Sequence, residues 1–111
     1  MPIIEKKEFE MNKAIQYYIA EVSNLTGKRK RLVSGFAINS PTGVRYCVRN
    51  AGEGIFTWVA DHYDTGFSIA INCIDKNDAI GCAELALERS IESGAYEKAV
   101  KAALKIVKEL K

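Results

Sequence analysis

Four strand-like segments in the middle of the chain constrain its fold more than any other feature. Each segment is rich in β-branched or aromatic residues, and turn-forming residues such as Ser40-Pro41-Thr42-Gly43 separate one segment from the next. The segments span residues 32–39, 44–50, 55–61 and 67–74. Because only four or five residues connect them, consecutive strands are expected to pair as antiparallel hairpins. The pattern predicts a four-stranded antiparallel meander.

Helical periodicity is found on both sides of these segments. Apolar residues from Met11 to Leu25 recur at helical spacing, which predicts an N-terminal helix over residues 8–25, and Gly27 is a residue that commonly ends a helix. A short leading strand over residues 3–9 is the alternative assignment for Phe9. After the strands, the pattern predicts a helix from about residues 75–78 to Ser93 and a second helix from about Ala95, separated by Gly94.

These elements make up one domain over residues 1–111 with an α+β fold. The expected order is an N-terminal helix, a four-stranded antiparallel meander and two C-terminal helices packed on one face of the sheet. The apolar stripe of the last helix also favours a homodimer. No apolar run is long enough to span a membrane, and the charged residues 5–8 argue against a signal peptide.

The small net charge of +2 conceals a strong asymmetry along the chain. Residues 1–50 have a net charge of +5, residues 51–94 of −6, and residues 95–111 of +3. Residues 26–50 hold six cations and no acid, and the run from Lys28 to Arg31 is expected in a loop before the first strand. Such a concentration of positive charge attracts polyanions, although a solubilising surface is the alternative interpretation. The six cations are Lys28, Arg29, Lys30, Arg31, Arg45 and Arg49.

Strand parity places Arg45 and Arg49 on one face of the second strand, and Phe56 and Trp58 on one face of the third. One sequence does not fix the register between them. If the two faces coincide, aromatic rings alternate with cations, as in proteins that bind single-stranded nucleic acids. If they do not, Phe56 and Trp58 belong to the core, and only the arginines remain outside.

The remaining candidate residues carry weaker chemical signals. His62 lies between two aspartates but has no accompanying nucleophile and no metal-ligand set, so no enzyme, cofactor or metal is expected. A small enzyme that uses His62 with Asp61 or Asp64 is a further alternative. The three cysteines lack disulfide spacing, which predicts a reducing, cytoplasmic environment. Cys73 and Cys82 are expected as small core residues, whereas the cations beside Cys47 suggest a reactive thiol as an alternative.

The order of helix, four-strand meander and closing helices resembles the archaeal ThermoDBP-related single-stranded DNA-binding proteins. That resemblance implies a cleft lined by aromatic and apolar side chains, with cations around it. On this chain it implies Tyr46, Phe56 and Trp58 as rings that stack on bases, and the six cations of residues 26–50 as phosphate contacts.

The sequence therefore predicts a protein that binds single-stranded nucleic acid, preferably DNA, with little sequence preference. The alternative is a homodimeric interaction or scaffold module that recruits an acidic partner through the same basic face. The predicted binding residues are Lys28, Arg29, Lys30, Arg31, Arg45, Tyr46, Arg49, Phe56 and Trp58.

Overall fold

A computed structural model of the chain describes residues 13–23 and 27–110. Five antiparallel strands form one sheet in chain order, and two helices follow. The strands are β1 (Ala14–Ser23), β2 (Gly27–Asn39), β3 (Arg45–Asn50), β4 (Trp58–His62) and β5 (Ser68–Cys73), and the helices are α1 (Lys76–Ser93) and α2 (Ala95–Val107). The fold is therefore α+β with two C-terminal helices.

The prediction of an N-terminal helix and of only four strands is wrong. Strand β1 occupies most of the segment predicted as helical and pairs with β2 from Ala14 opposite Phe36 to Ser23 opposite Gly27. Its β-branched and aromatic residues suit a strand, and its ladder with β2 satisfies the backbone polar groups that a helix would have paired internally. Residues 8–12 and 24–25 of that predicted helix, and the alternative strand over residues 3–9, lie outside the described residues.

The hairpin of β1 and β2 bends across the rest of the sheet. Strand β2 pairs with β3 only from Phe36 onward, so its first part is bonded to β1 alone. Gly35 permits the bend, because a Cβ atom there would lie 2.7 Å from the carbonyl oxygen of Val48. On the far side, the backbone N–H of Ala20 donates to the carbonyl of Gly66 at 2.9 Å. The edge of β1 therefore reaches the turn between β4 and β5.

Both faces of the sheet carry a core as a result. On one face, Tyr46 and Val48 pack with small residues and with Leu87 of α1. The other face, predicted to be open, is covered by the hairpin, whose Tyr17 and Ile19 pack on Ala37 and Cys47. The mixed face of β3 is thus an interior surface.

Local signals set the ends of α1. The side chain of Asp75 accepts a hydrogen bond from the backbone N–H of Asp78, and Gly94 ends the helix in the left-handed conformation, with φ 80°. Near the end of β5, Asn72 interrupts the regular extended backbone of the strand with φ 58°. Among the described residues, no helix combines the length and apolar character needed to cross a membrane.

Candidate nucleic-acid interface

The hairpin of β1 and β2 presents different side chains on its two faces. Tyr17 and Ile19 point inward to the second core, so Tyr18 between them points outward. Tyr18 lies directly opposite Leu32 in the ladder, and the two side chains are 59% and 48% exposed. Lys30, two residues from Leu32, is opposite Ala20 and shares the outer face. An aromatic ring, an apolar side chain and a cation therefore lie together at the surface.

This outer face forms one wall of a groove. The groove encloses about 440 Å³ between the hairpin, the turn at residues 63–65 and the C-terminal end of α2. Tyr63 lines it together with Tyr18, and Val107 and Leu110 supply apolar surface. Among the described lining residues, Asp64 is the one that is acidic. In the described part of the chain, the groove lining thus combines three tyrosines, Tyr17, Tyr18 and Tyr63, with apolar walls and one lysine.

Arg45 lies beside this groove through its contacts with the turn. Its guanidinium forms an ion pair with Asp64 at 2.7 Å and lies over the ring of Tyr63, 5.1 Å from the centroid. Because Arg45 balances the charge of Asp64, the acidic lining residue adds little net negative charge to the groove. The cation also holds the ring of Tyr63 in place.

The two arginines of the β1–β2 hairpin, Arg29 and Arg31, share one carboxylate. Arg29 approaches Glu21 at 2.6 Å and Arg31 approaches it at 2.9 Å. The hydrogen bond from Arg29, together with the positive charge of both arginines, lowers the pKa of Glu21 below its usual value. One carboxylate cannot neutralise two guanidinium groups, so the region keeps a positive excess. These residues and Lys30 belong to strand β2, where a loop was predicted.

Arg49 lies largely buried and is paired with an internal carboxylate. Its side chain is only 11% exposed and donates from Nε to Asp61 at 2.7 Å, beneath the hairpin. Asp61 also accepts hydrogen bonds from Tyr17 at 2.8 Å and from Ser68 at 3.4 Å. Burial, reinforced by the negative charge of Asp61, raises the pKa of the adjacent Cys47 thiol to about 12. This thiol is therefore protonated and unreactive at neutral pH, contrary to the alternative of a reactive cysteine.

The structure separates the three aromatic residues predicted to stack on bases. Tyr46 is buried in the helix-facing core, where its hydroxyl donates to Glu84 at 2.6 Å. Trp58 is half-buried and packs against the same core, which resolves the register left open by the sequence. Phe56 is exposed, but it lies in the 51–57 connection between β3 and β4. Neither Tyr46 nor Trp58 shares a face with Arg45 and Arg49.

Of the predicted set, the structure brings Lys30 to the groove and Arg45 to its rim, whereas the side chain of Lys28 lies outside the described part. Sequence reasoning missed Tyr18, Leu32 and Tyr63 as surface candidates. Tyr18 was assigned to the apolar stripe of a helix. The alternation of Ile15, Tyr17 and Ile19 was the signal that predicts a strand and places Tyr18 on its opposite face.

His62 does not present a free catalytic base. The backbone N–H of Thr65 donates to Nδ1 at 3.3 Å, which leaves the ring proton on Nε2, where it is donated to the Tyr96 hydroxyl at 2.8 Å. Burial lowers the pKa of His62 below its usual value, and Arg45 lowers it further against the opposing effect of Asp64. Both ring nitrogens are thus used in holding the β4–β5 turn to α2.

Comparison of the chain with known protein families, curated proteins and solved structures finds no match to any of them. The resemblance to ThermoDBP-related proteins stays a prediction, and the element order on which it was based begins with a helix where the structure has β1. A function is therefore inferred from the geometry of the groove and its charges.

Proposed function

We propose that this protein binds single-stranded nucleic acid in the groove between the β1–β2 hairpin and the turn at residues 63–65. The observation that carries the proposal is the exposed ring of Tyr18, which lies opposite Leu32 and shares the outer face with Lys30. Proteins that bind single strands without sequence preference combine aromatic stacking surfaces with cations that follow the phosphates. The groove supplies both within one hairpin.

The distribution of charge supports the same hairpin: Lys30 lies on its outer face with Tyr18, whereas Arg29 and Arg31, opposite Glu21 and Ile19, lie on its other face. Strand β2 carries four cations in succession, from Lys28 to Arg31, whereas β1 carries a single acid, Glu21. Arg45 adds a further cation at the rim of the groove. A phosphate that replaces Glu21 or Asp64 as the partner of these arginines makes bidentate hydrogen bonds with them. Binding is then expected to compete with the internal ion pairs and to be moderate in affinity.

Fluorescence anisotropy of a labelled oligo-dT, compared with its duplex form, tests the proposal. We expect preferential binding of the single strand, with a logarithmic salt dependence of about −0.7 per phosphate neutralised. The substitution Tyr18→Ala should cost about 1–3 kcal/mol of binding free energy, the contribution of one stacked base. An oligo-rU of the same length distinguishes DNA from RNA as the preferred ligand.

Phe56→Ala is the matched control, because Phe56 is 60% exposed, as Tyr18 is, but lies outside the groove. This variant should bind as the wild type does. The emission of Trp58 should remain unquenched by stacking, since its ring packs against the helix-facing core. Equal binding to single strand and duplex, lost at physiological salt, contradicts a stacking site. Loss of binding in Phe56→Ala but not in Tyr18→Ala contradicts this groove.

A homodimeric interaction module is the second candidate, and helix α2 favours it. All of α2 lies in the described part of the chain, and none of its side chains is fully buried although one side is apolar. Leu104 remains exposed, and Val100 and Val107 are only half-buried. Light scattering at several concentrations, with Leu104→Glu as the disrupting variant and Glu97→Gln as its control, tests whether two copies associate through this face. A monomer at every concentration contradicts the candidate.

A further inference from the structure

Two cysteines and an aspartate converge where β5 passes into α1. Cys73 is the last residue of β5, and Asp78 and Cys82 lie one turn apart on the same face of α1. The two sulfur atoms and one carboxylate oxygen all lie within 4.8 Å of one another. Cys73 is buried, Asp78 half-buried and Cys82 exposed, so the cluster is open to solvent on one side.

The spacing of these atoms suits a tetrahedral metal ion. With Zn–S bonds of about 2.3 Å and Zn–O bonds of about 2.0–2.2 Å, neighbouring ligand atoms lie about 3.5–3.8 Å apart. The Sγ atom of Cys82 and the Oδ1 atom of Asp78 are 3.7 Å apart, within that range. Both thiol contacts are weak hydrogen bonds, because a thiol is a poor donor: Cys82 donates to Asp78 Oδ1 at 3.7 Å, and Cys73 donates to the carbonyl of Ile71 at 3.5 Å. A metal ion that enters the site therefore displaces only these weak hydrogen bonds.

The carboxylate of Asp78 is already held in an orientation that suits coordination. Its Oδ2 atom accepts a hydrogen bond from the backbone N–H of Ile74 at 2.9 Å, whereas Oδ1 is the atom near Cys82. Its own backbone N–H donates to Asp75 at 2.8 Å. Supporting hydrogen bonds of this kind fix the ligands of metal sites and reduce the ordering required on binding.

We propose that Cys73, Asp78 and Cys82 form a binding site for a thiophilic divalent cation of the zinc type. Two sulfur ligands select against Mg²⁺ and Ca²⁺, which bind through oxygen. Three protein ligands leave the solvent side of the site for a water molecule, since Cys82 is exposed. The metal joins the end of β5 to the second turn of α1. This site is independent of the groove, so nucleic-acid binding and metal binding are tested separately.

Titration of the reduced, metal-free full chain with Co²⁺ tests the site. We expect thiolate-to-cobalt charge-transfer absorption that saturates at a single equivalent, together with the ligand-field bands of tetrahedral Co²⁺. Zn²⁺ should displace the cobalt, whereas Mg²⁺ in excess should not. Cys82→Ser removes an exposed thiol and should fold normally, yet weaken binding about tenfold or more and reduce the charge-transfer intensity. Circular dichroism checks the fold of each variant.

Two further variants separate coordination from helix structure. Asp78→Asn keeps an acceptor for the Ile74 N–H but loses the carboxylate charge, and should also weaken binding about tenfold. Glu88→Gln changes an exposed acid elsewhere on α1 and should bind as the wild type does. The proposal is overturned by an absence of charge-transfer absorption in the wild type, or by unchanged binding in Cys82→Ser. Paired oxidation of the two thiols without any metal binding overturns it as well, and assigns them as a redox pair.

Discussion

Tyr17 and Asp61 join the hairpin to the body of the sheet through one buried hydrogen bond, in which the Tyr17 hydroxyl donates to Oδ2 at 2.8 Å. Asp61 is 1% exposed and also forms the ion pair with Arg49. A buried carboxylate is tolerated when charged and hydrogen-bonded partners surround it, and it becomes costly when one is removed. The position of the hairpin, and with it one wall of the groove, therefore depends on a contact beneath the hairpin.

Loss of the Tyr17 hydroxyl should destabilise the fold measurably. We expect Tyr17→Phe to lower the free energy of unfolding by about 1.5–3 kcal/mol, because a hydrogen bond to a buried charged group is lost. Asp61→Asn should cost about 3–5 kcal/mol, since it leaves Arg49 without its anionic partner. Urea denaturation measures both, and the double variant should show less than the sum of the two effects.

Tyr18→Phe provides the control for this experiment, because it removes the same atom from the next residue of the same strand. The Tyr18 side chain is exposed, so its free energy of unfolding should change by less than about 0.5 kcal/mol. Equal effects of Tyr17→Phe and Tyr18→Phe would show that the bond to Asp61 does not hold the hairpin.

A side chain at position 66 should separate the edge of β1 from the β4–β5 turn. Gly66 has φ 76°, and a Cβ atom there would lie 2.7 Å from the backbone nitrogen of Ala20. Gly43 has φ 89°, and a Cβ atom placed on it would have no described heavy atom of a non-neighbouring residue within 4 Å. Gly43→Ala should therefore cost only the left-handed backbone penalty, about 1–2 kcal/mol, and Gly66→Ala distinctly more. Thermal or urea unfolding compares them, and equal losses would contradict a close approach of β1 to the turn.

Acidification should destabilise the protein through His62. Burial lowers the pKa of His62 in the folded state, so the unfolded chain takes up the proton at a higher pH. As pH falls below the ordinary histidine pKa of about 6.5, unfolding is favoured, and the loss is complete below the folded-state value. Unfolding midpoints measured across that window should decline in the wild type.

His62→Gln is the control for the pH series. Glutamine retains polar groups that can face Thr65 and Tyr96, but it does not titrate. The variant should be less stable at neutral pH and should lose the decline between neutral pH and about pH 5, below which carboxylates dominate. A decline of the same size in both proteins would place its origin in another group.

Removal of the Glu21 charge should strengthen nucleic-acid binding if the hairpin contacts phosphates. Glu21→Gln leaves Arg29 and Arg31 without their shared anion, so phosphate no longer competes with it. Anisotropy titrations should show higher affinity and a steeper salt dependence. Glu88→Gln, which removes the same charge from the exposed surface of α1, should have a much smaller effect. Weaker binding in Glu21→Gln would argue against phosphate contacts by these arginines.

Local sequence signals predicted the second half of the fold well. Strands β3 and β5 lie within the predicted segments, β4 overlaps its segment but starts three residues later and ends one residue beyond it, and Gly94 separates the helices, because turns and caps are encoded by neighbouring residues. The first half failed because Tyr17 and Tyr18 are both aromatic although one faces the core and the other the groove. Apolar residues on both faces of a strand imitate the periodicity of a helix.

The candidate site was less predictable because long-range pairing decides it. The charge asymmetry drew attention to the cations of β2, but nothing local shows that Arg49 is paired with Asp61 or that Glu21 binds two arginines. Which face of the sheet Trp58 occupies is decided by the strand register, in which it pairs with Asn50. Such contacts exist only after the hairpin has bent across the sheet.

The left-handed backbone of Asn72 limits how copies of this protein can meet. A sheet edge recruits another strand when it offers a straight row of unpaired N–H and C=O groups. Strand β5 is such an edge, but Asn72, with φ 58°, breaks its row before the strand ends. The opposite edge, β1, gives part of its row to the turn through Ala20 and Gly66. Along the described edges, growth of a continuous intermolecular sheet is thus hindered on both sides, and self-association is left to side-chain surfaces.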